Sequence, residues 1–274
     1  MIRATAADRP GIEAALGARP ELAMFPLDNL ARYGMSGGHP RAMVFWVDDP
    51  VAPEVVLGRS EEGMVLPFAP DGLDVPACAG LLRGQPLKGF AGPAGPVRAL
   101  IGALDLAGQT AELDADEPQF VLDLDRLIGP DGPGSLAPIT EHRAVVEAWR
   151  TAYRAELRLG DPFPGSVAEE VEMWIAGDSH RVLVVDGRPA ALTGFNARLP
   201  DIVQVGGVYT PPEARGRGLA RRAVGLHLAE AREQGARRAT LSAASEAAVA
   251  CYRPLGFERI GEFALVLYDG VVTA

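Results

Sequence analysis

The chain has 274 residues, 48% hydrophobic and 23% charged, the balance of a globular protein rather than of a disordered or collagen-like one. Acidic residues outnumber basic ones 36 to 26, for a net charge of -10, so a general polyanion-binding surface is excluded and nucleic acid is not an expected partner. The charge is unevenly spread: residues 1–136 hold 10 basic and 19 acidic residues, residues 137–274 hold 16 and 17.

In chain order, the apolar spacing of Leu16, Leu22, Met24, Leu27 and Leu30 predicts a helix from Pro10 to about Tyr33, stopped by Gly34. Three short strands follow, Ala42–Val47, Glu54–Gly58 and Gly63–Pro67, the last two joined by a hairpin turn at Arg59–Glu62. A helix over Asp74–Arg83, a strand at Leu87–Gly92, a helix at Val97–Leu106 and a strand near Gln119–Leu124 complete the first half. Three glycines and two prolines within Gly129–Ser135 then mark a linker. The expected division is a first domain over 1–128, a linker over 129–136 and a second domain over 137–274.

The second half reads as helices at Thr140–Leu159 and Val167–Ala176, and a hairpin of Arg181–Val185 and Pro189–Asn196 around Asp186-Gly187. A strand at Ile202–Thr210 leads to an amphipathic helix at Gly218–Gln234, ended by Gly235. A strand at Arg238–Ser242, a short helix at Glu246–Arg253 and two closing strands at Phe257–Ile260 and Phe263–Tyr268 finish the chain. Helices alternate with strands and hairpins, which predicts an α/β fold of the α+β type, a mixed, mostly antiparallel sheet flanked by helices. No uncharged apolar run approaches the ~18 residues of a membrane span. Met1–Asp8 lacks the apolar stretch of a secretion signal, so a cytoplasmic protein with no membrane partner is expected. Cys78 and Cys251 lie far apart, and His39, His142, His180 and His227 are scattered, so no metal site is expected.

The chemistry concentrates between Val208 and Ala220. A strand ends, a turn follows, and a helix starts directly after Gly216 and Gly218. The first N–H groups of a helix lack internal partners, and the helix dipole makes that end positive. Arg215, Arg217, Arg221 and Arg222 add four cations and no acid stands among them, so the segment reads as a phosphate site. The loop has no lysine, which excludes the Walker pattern. Arg221 stands where the dinucleotide fingerprint needs its third glycine.

The run Arg215-Gly216-Arg217-Gly218-Leu219-Ala220 resembles the pyrophosphate loop of the GNAT superfamily of acetyl-CoA-dependent N-acyltransferases. Ala248-Val249-Ala250-Cys251-Tyr252-Arg253-Pro254-Leu255-Gly256-Phe257 is similar to the same family's second block, in the right order about 30 residues downstream. The resemblance covers about 137–270 and implies the GNAT fold. The segment around Phe25–Gly34 looks like the opening of tandem members whose N-terminal domain is a degenerate GNAT-like copy. In that copy Gly92–Pro96 is a candidate for a worn phosphate loop or an ordinary strand-to-helix turn.

The resemblance implies an N-acetyltransferase in which an amine attacks the thioester of acetyl-CoA (coenzyme A as carrier) directly in a ternary complex. It implies cofactor contacts from the strand at Val208, Tyr209 and Thr210, with the Val208 amide polarising the acetyl carbonyl, and from Arg215, Gly216, Arg217, Gly218, Leu219 and Ala220. Tyr252 falls where the family places the acid that protonates the leaving thiolate. Ser245 stands where Asn often holds the cofactor arm. Glu156 is a candidate general base, with a water chain as the alternative; Asn196 and Gln204 are candidates for orienting the acceptor. The acceptor is a primary amine of a small molecule or protein, and the chain acts as a monomer or homodimer. A CoA-binding sensor without turnover is the alternative function.

Overall fold

The computed structural model describes residues 1–156 and 166–274. The chain divides into two compact units, Met1–Pro118 with Gly261–Ala274, and Gln119–Ile260. The glycine- and proline-rich stretch expected as the linker therefore lies inside the second unit, and the division falls within strands instead.

The first unit runs β1 (Ile2–Arg3), α1 (Arg9–Ala18), α2 (Met24–Tyr33), β2 (Met43–Val47), β3 (Val56–Ser60), β4 (Met64–Phe68), α3 (Val75–Leu82), β5 (Pro86–Pro93) and α4 (Ala94–Ala103). The second runs β7 (Ser135–Pro138), α5 (Arg143–Glu156), α6 (Val167–Ala176), β8 (His180–Val185), β9 (Arg188–Arg198), β10 (Ile202–Tyr209), α7 (Leu219–Glu233), β11 (Arg238–Ser242) and α8 (Glu246–Tyr252). The same order of elements occurs twice. β6 (Ala111–Asp123) follows α4 and β12 (Glu258–Thr273) follows α8, but each crosses a unit boundary. Gln119–Asp123 of β6 pairs antiparallel with β11, and Phe263–Thr273 of β12 pairs antiparallel with β5. Each unit is thus completed by a strand from the other half of the sequence.

The strand order is β1-β2-β3-β4-β5-β12 in the first unit and β7-β8-β9-β10-β11-β6 in the second. Pairing is antiparallel throughout these two series except at β4–β5 and β10–β11, the two pairs joined by a crossover helix. Ile12, Leu16, Leu30, Phe45 and Leu66 pack under α1 and α2. Phe90, Val97, Leu100 and Val266 form the other core of the first unit. In the second unit, Phe120, Val203, Val224, Leu228, Leu241 and Tyr252 pack beneath α7 and α8, while Val146, Val171, Val182, Leu192 and Tyr209 pack beneath α5 and α6.

Three local expectations differ from the structure, and two short strands were not expected. The single helix over Pro10–Tyr33 is two helices, because Arg19 precedes Pro20 and takes φ −136°, ψ 65°; a residue before proline is pushed out of the helical region. The helix starting at Thr140 starts instead at Arg143, after a 3-10 turn over Ile139–His142; its expected end at Leu159 lies outside the described residues. The two closing strands are one continuous strand, β12. The short edge strands β1 and β7 had no signal in the sequence.

Candidate active site

In the second unit β10 and β11 pair in parallel at Ile202↔Arg238, Val203↔Ala239 and Gln204↔Thr240, and there the ladder ends. Val205–Tyr209 continues with β9 alone, and does so irregularly. Gly206 faces Gly194 but Tyr209 faces Leu192, so β10 carries one extra residue between them. Gly207 in that bulge takes φ +63°, the left-handed region that favours glycine. The strand expected to present backbone groups at Val208, Tyr209 and Thr210 is therefore splayed from its parallel neighbour.

The bulged strand leads to Gly216 and Gly218, with φ +75° and +74°. Gly218 is the N-cap of α7 and offers no side chain to its first turn. The N–H groups of Leu219, Ala220 and Arg221 thus have neither an intrahelical partner nor a cap. A β-carbon on Gly216 would meet nothing within 4 Å, so the loop borders open space. Arg217 is exposed and the Arg221 guanidinium folds toward Gly218, 3.5 Å from where a β-carbon would stand. These residues fit a pyrophosphate: free N–H groups, a positive helix end, two cations and no side chain in the way.

The other two arginines are turned elsewhere. Arg222 donates to the Pro130 carbonyl. Arg215 donates to the Thr210 carbonyl (2.9 Å) and pairs with Glu156 through both carboxylate oxygens, at 2.8 and 2.7 Å. Glu156, the candidate base, also accepts from the Tyr209 hydroxyl at 3.2 Å. Burial, with the Glu156 charge second, raises the Tyr209 phenol above its usual range. The hydrogen bond to Glu156 raises the Arg215 pKa. The carboxylate is held between a cation and a phenol, an arrangement that fixes the strand-to-loop corner.

Tyr252 ends α8, is buried, and sits edge-on to Phe257 with ring centroids 6.0 Å apart. It shares a cluster with Val203 and Val205 of the splayed strand, and Val208 packs against the same cluster. Ser245 caps α8, its hydroxyl accepting from the Ala248 N–H at 3.2 Å. Asn196 lies where a β-carbon on Gly206 would be, beside the bulge. Gln204 is buried and its Oε1 has no hydrogen-bond partner.

Residues 144–257 match the model of the Acetyltransferase (GNAT) family. That stretch is a GNAT acetyltransferase domain. A GCN5-related N-acetyltransferase from Kribbella flavida aligns over 79% of this chain and 87% of its own, at 17% identity and a TM-score of 0.52. A GCN5-related N-acetyltransferase from Sphaerobacter thermophilus covers 100% and 96%, at 15% identity and a TM-score of 0.59. A Drosophila protein known by X-ray structure covers 97% and 98%, at 14% identity and a TM-score of 0.64. At these identities the likeness is one of fold. No curated protein sequence matches the chain. The GNAT domain is that of an acyltransferase enzyme whose donor is acetyl-CoA. No described helix is long and apolar enough to cross a membrane.

One residue beside this site escaped sequence reasoning. His180 stands at the head of β8, with Gly194 as its register partner on β9. The pairing that brings it to the β10 bulge is a property of the sheet, with no motif to announce it.

Proposed function

We propose that the GNAT domain transfers the acetyl group of acetyl-CoA to an amine by direct attack in a ternary complex. The observation that carries this reading is the uncapped start of α7 behind two left-handed glycines, at the end of a strand that leaves its parallel neighbour after Gln204. When bound, acetyl-CoA supplies an activated thioester. The N–H groups at Leu219–Arg221, with Arg217 and Arg221, hold the pyrophosphate. The unpaired edge of Val205–Thr210 pairs with the amides of the pantetheine arm, and the Val208 N–H polarises the carbonyl. A C–N bond forms and the C–S bond breaks; the nitrogen's proton leaves through a water chain to solvent, and the sulfur gains one from Tyr252, which is reprotonated from solvent. Tyr252 supplies the sulfur's proton; phenol and thiol have ordinary pKa values of about 10 and 8.5, close enough for transfer. Glu156 acts as a positioning residue that holds Arg215 and Tyr209.

We read the first unit as a degenerate copy of the second, on the repeated order of elements. The Gly92–Pro96 stretch is not its phosphate loop by position. The counterpart of Thr210–Gly218 is Ala69–Asp74, between β4 and α3.

Thermal unfolding with and without acetyl-CoA tests the cofactor site. Ligand at about 100 times its Kd stabilises by roughly 2.7 kcal/mol, which is a rise of about 5–11 °C at roughly 2–4 °C per kcal/mol. The rise should vanish in Arg217→Ala/Arg221→Ala. An unmoved wild-type Tm at millimolar acetyl-CoA would defeat the reading.

A further inference from the structure

Two arginine–glutamate contacts involve α5, and they differ in kind. Arg150 pairs with Glu170 of α6 at 2.7 Å, and their side chains are only 6% and 8% exposed, too enclosed for a solution anion to enter. Glu156, the last residue of α5, pairs with Arg215 at 2.7 Å, and here the side chains are 41% and 47% exposed. An exposed ion pair contributes little net free energy, so a competing anion can displace the carboxylate. Displacement leaves Glu156 with water and with its bond from the Tyr209 hydroxyl. It leaves Arg215 with the Thr210 carbonyl on its Nε and the Tyr209 ring 5.6 Å from its guanidinium carbon. Arg215 stands directly before Gly216 and three residues before Gly218, where the first N–H groups of α7 are open. At about 3.8 Å per Cα step, its Cα lies within about 11 Å of that of Gly218. A guanidinium so near the helix start can serve a polyphosphate, but its Nη2 is already on both oxygens of Glu156.

We infer that the Glu156–Arg215 pair is an autoinhibitory contact: the carboxylate and the pyrophosphate of acetyl-CoA compete for one guanidinium, and binding exchanges the first for the second. This rests on the acetyltransferase reading and adds a regulation of its donor site. Charge balance favours the exchange. While Glu156 holds Arg215, the loop offers a polyphosphate two cations, Arg217 and Arg221; release of Arg215 supplies a third. The guanidinium fork matches phosphate as well as it matches carboxylate, and the pyrophosphate carries more charge than one carboxylate. The contact has a cost for the ligand. When only part of the population has Arg215 released, the apparent affinity falls by that fraction. The contact also links two parts of the domain, because the carboxylate that guards the donor loop belongs to the end of α5. Trp149 and Tyr153 of that helix pack around the Tyr209 ring, with centroids 6.2 and 6.0 Å away. Donor binding thus frees the end of α5 from the loop while Tyr209 stays packed beneath the helix.

Calorimetric titration of the full chain with coenzyme A at low salt decides it. Glu156→Gln keeps the size of the side chain and an acceptor for the Tyr209 hydroxyl, and removes the charge. It should bind coenzyme A about two- to fivefold more tightly than the wild type, the worth of an exposed ion pair. In an Arg215→Gln background the same substitution should bring no gain, since the contested guanidinium is gone. Glu213→Gln removes an exposed acid two residues from Arg215 and should leave the affinity at the wild-type value. If Glu156→Gln does not fold, Glu156→Asp takes its place: its carboxylate reaches less far, and binding should tighten in the same direction. Equal or weaker binding by the Glu156 variant means that the carboxylate only braces the loop, and overturns the inference. A gain that survives in the Arg215→Gln background, or that Glu213→Gln reproduces, is general charge repulsion and overturns it as well. A wild-type chain that binds no coenzyme A overturns the acetyltransferase reading and this inference with it.

Discussion

Removing Gly261–Ala274 should unfold the first unit, although the cut lies far along the chain from Met1–Pro118. The segment supplies most of β12, which pairs with β5 from Phe263↔Pro93 to Leu267↔Gly89 and again at Val272↔Leu87. Phe263, Ala264, Val266 and Tyr268 are buried, packing with Phe45 and Leu66 on one side and with Phe90, Val97 and Leu100 on the other. At about 1.5–3 kcal/mol for each large buried side chain, Phe263, Val266 and Tyr268 contribute roughly 5–9 kcal/mol. That equals much of the about 5–15 kcal/mol that holds a whole domain, and β5 would also be left as a bare edge. Trp46 lies in the first unit, and Trp149 and Trp174 in the second. Urea unfolding of a 1–260 chain, read by fluorescence with and without Trp46→Phe, should show Trp46 solvent-exposed before denaturant is added. Limited proteolysis should cut within 1–118 and spare 119–260. A 1–260 chain that keeps Trp46 protected to the wild-type midpoint would refute the strand exchange as a source of stability.

Three further outcomes are expected. Tyr252→Phe should lower the rate of thiol release about 100-fold, the lower range for loss of a general acid, with acetyl-CoA affinity unchanged by calorimetry. Glu170→Gln should destabilise the protein by about 3–5 kcal/mol, because it strips Arg150 and Arg154 of a buried carboxylate that bonds both, at 2.7–2.9 Å; chemical denaturation measures it. His180, lowered to about 3 by burial, and His227, also lowered by burial, both sit below the ordinary value of 6.5. The unfolded chain therefore binds their protons first as pH falls. The stability they contribute is full above pH 6.5 and lost progressively below it, at about 1.4 kcal/mol per pH unit for His180. Urea midpoints at pH 7 and pH 5 should differ accordingly, and His180→Phe should reduce the histidine-linked slope.

Much of the fold was legible because local physics dictates it. Leu219, Ala223, Val224, His227, Leu228 and Ala231 repeat at helical spacing and are the buried face of α7. Asp186-Gly187 makes the tight turn between β8 and β9, with φ +49° and +73°. The uncapped start of α7 was legible for the same reason, since Gly216 and Gly218 ahead of an apolar helical repeat mark where the helix begins. What local physics does not dictate was hidden. The Gly129–Ser135 stretch has every mark of a linker, yet it runs within one compact unit, because long-range pairing of β6 and β12 decides where the units divide. Glu156 read as a candidate base with no visible partner, because Arg215 is 59 residues away. His180 was one scattered histidine until the register of β8, β9 and β10 set it against Gly194 and Gly207.

The repeated order of elements sets two comparable helix starts in one chain. Both halves build a parallel strand, a crossover helix and a second parallel strand, and in both the helix start faces the end of a strand that pairs only briefly with its neighbour. The difference lies in what occupies the first turn. In the first unit Asp74 caps α3, its carboxylate accepting from the Ala77 N–H at 3.1 Å, and Asp71 stands three residues before it. That helix start is already satisfied by an anion and would repel a second one. In the second unit the equivalent place is Gly218, which has no side chain, takes the left-handed conformation and is followed by Arg221. One cap residue thus separates a helix end closed to phosphate from one open to it.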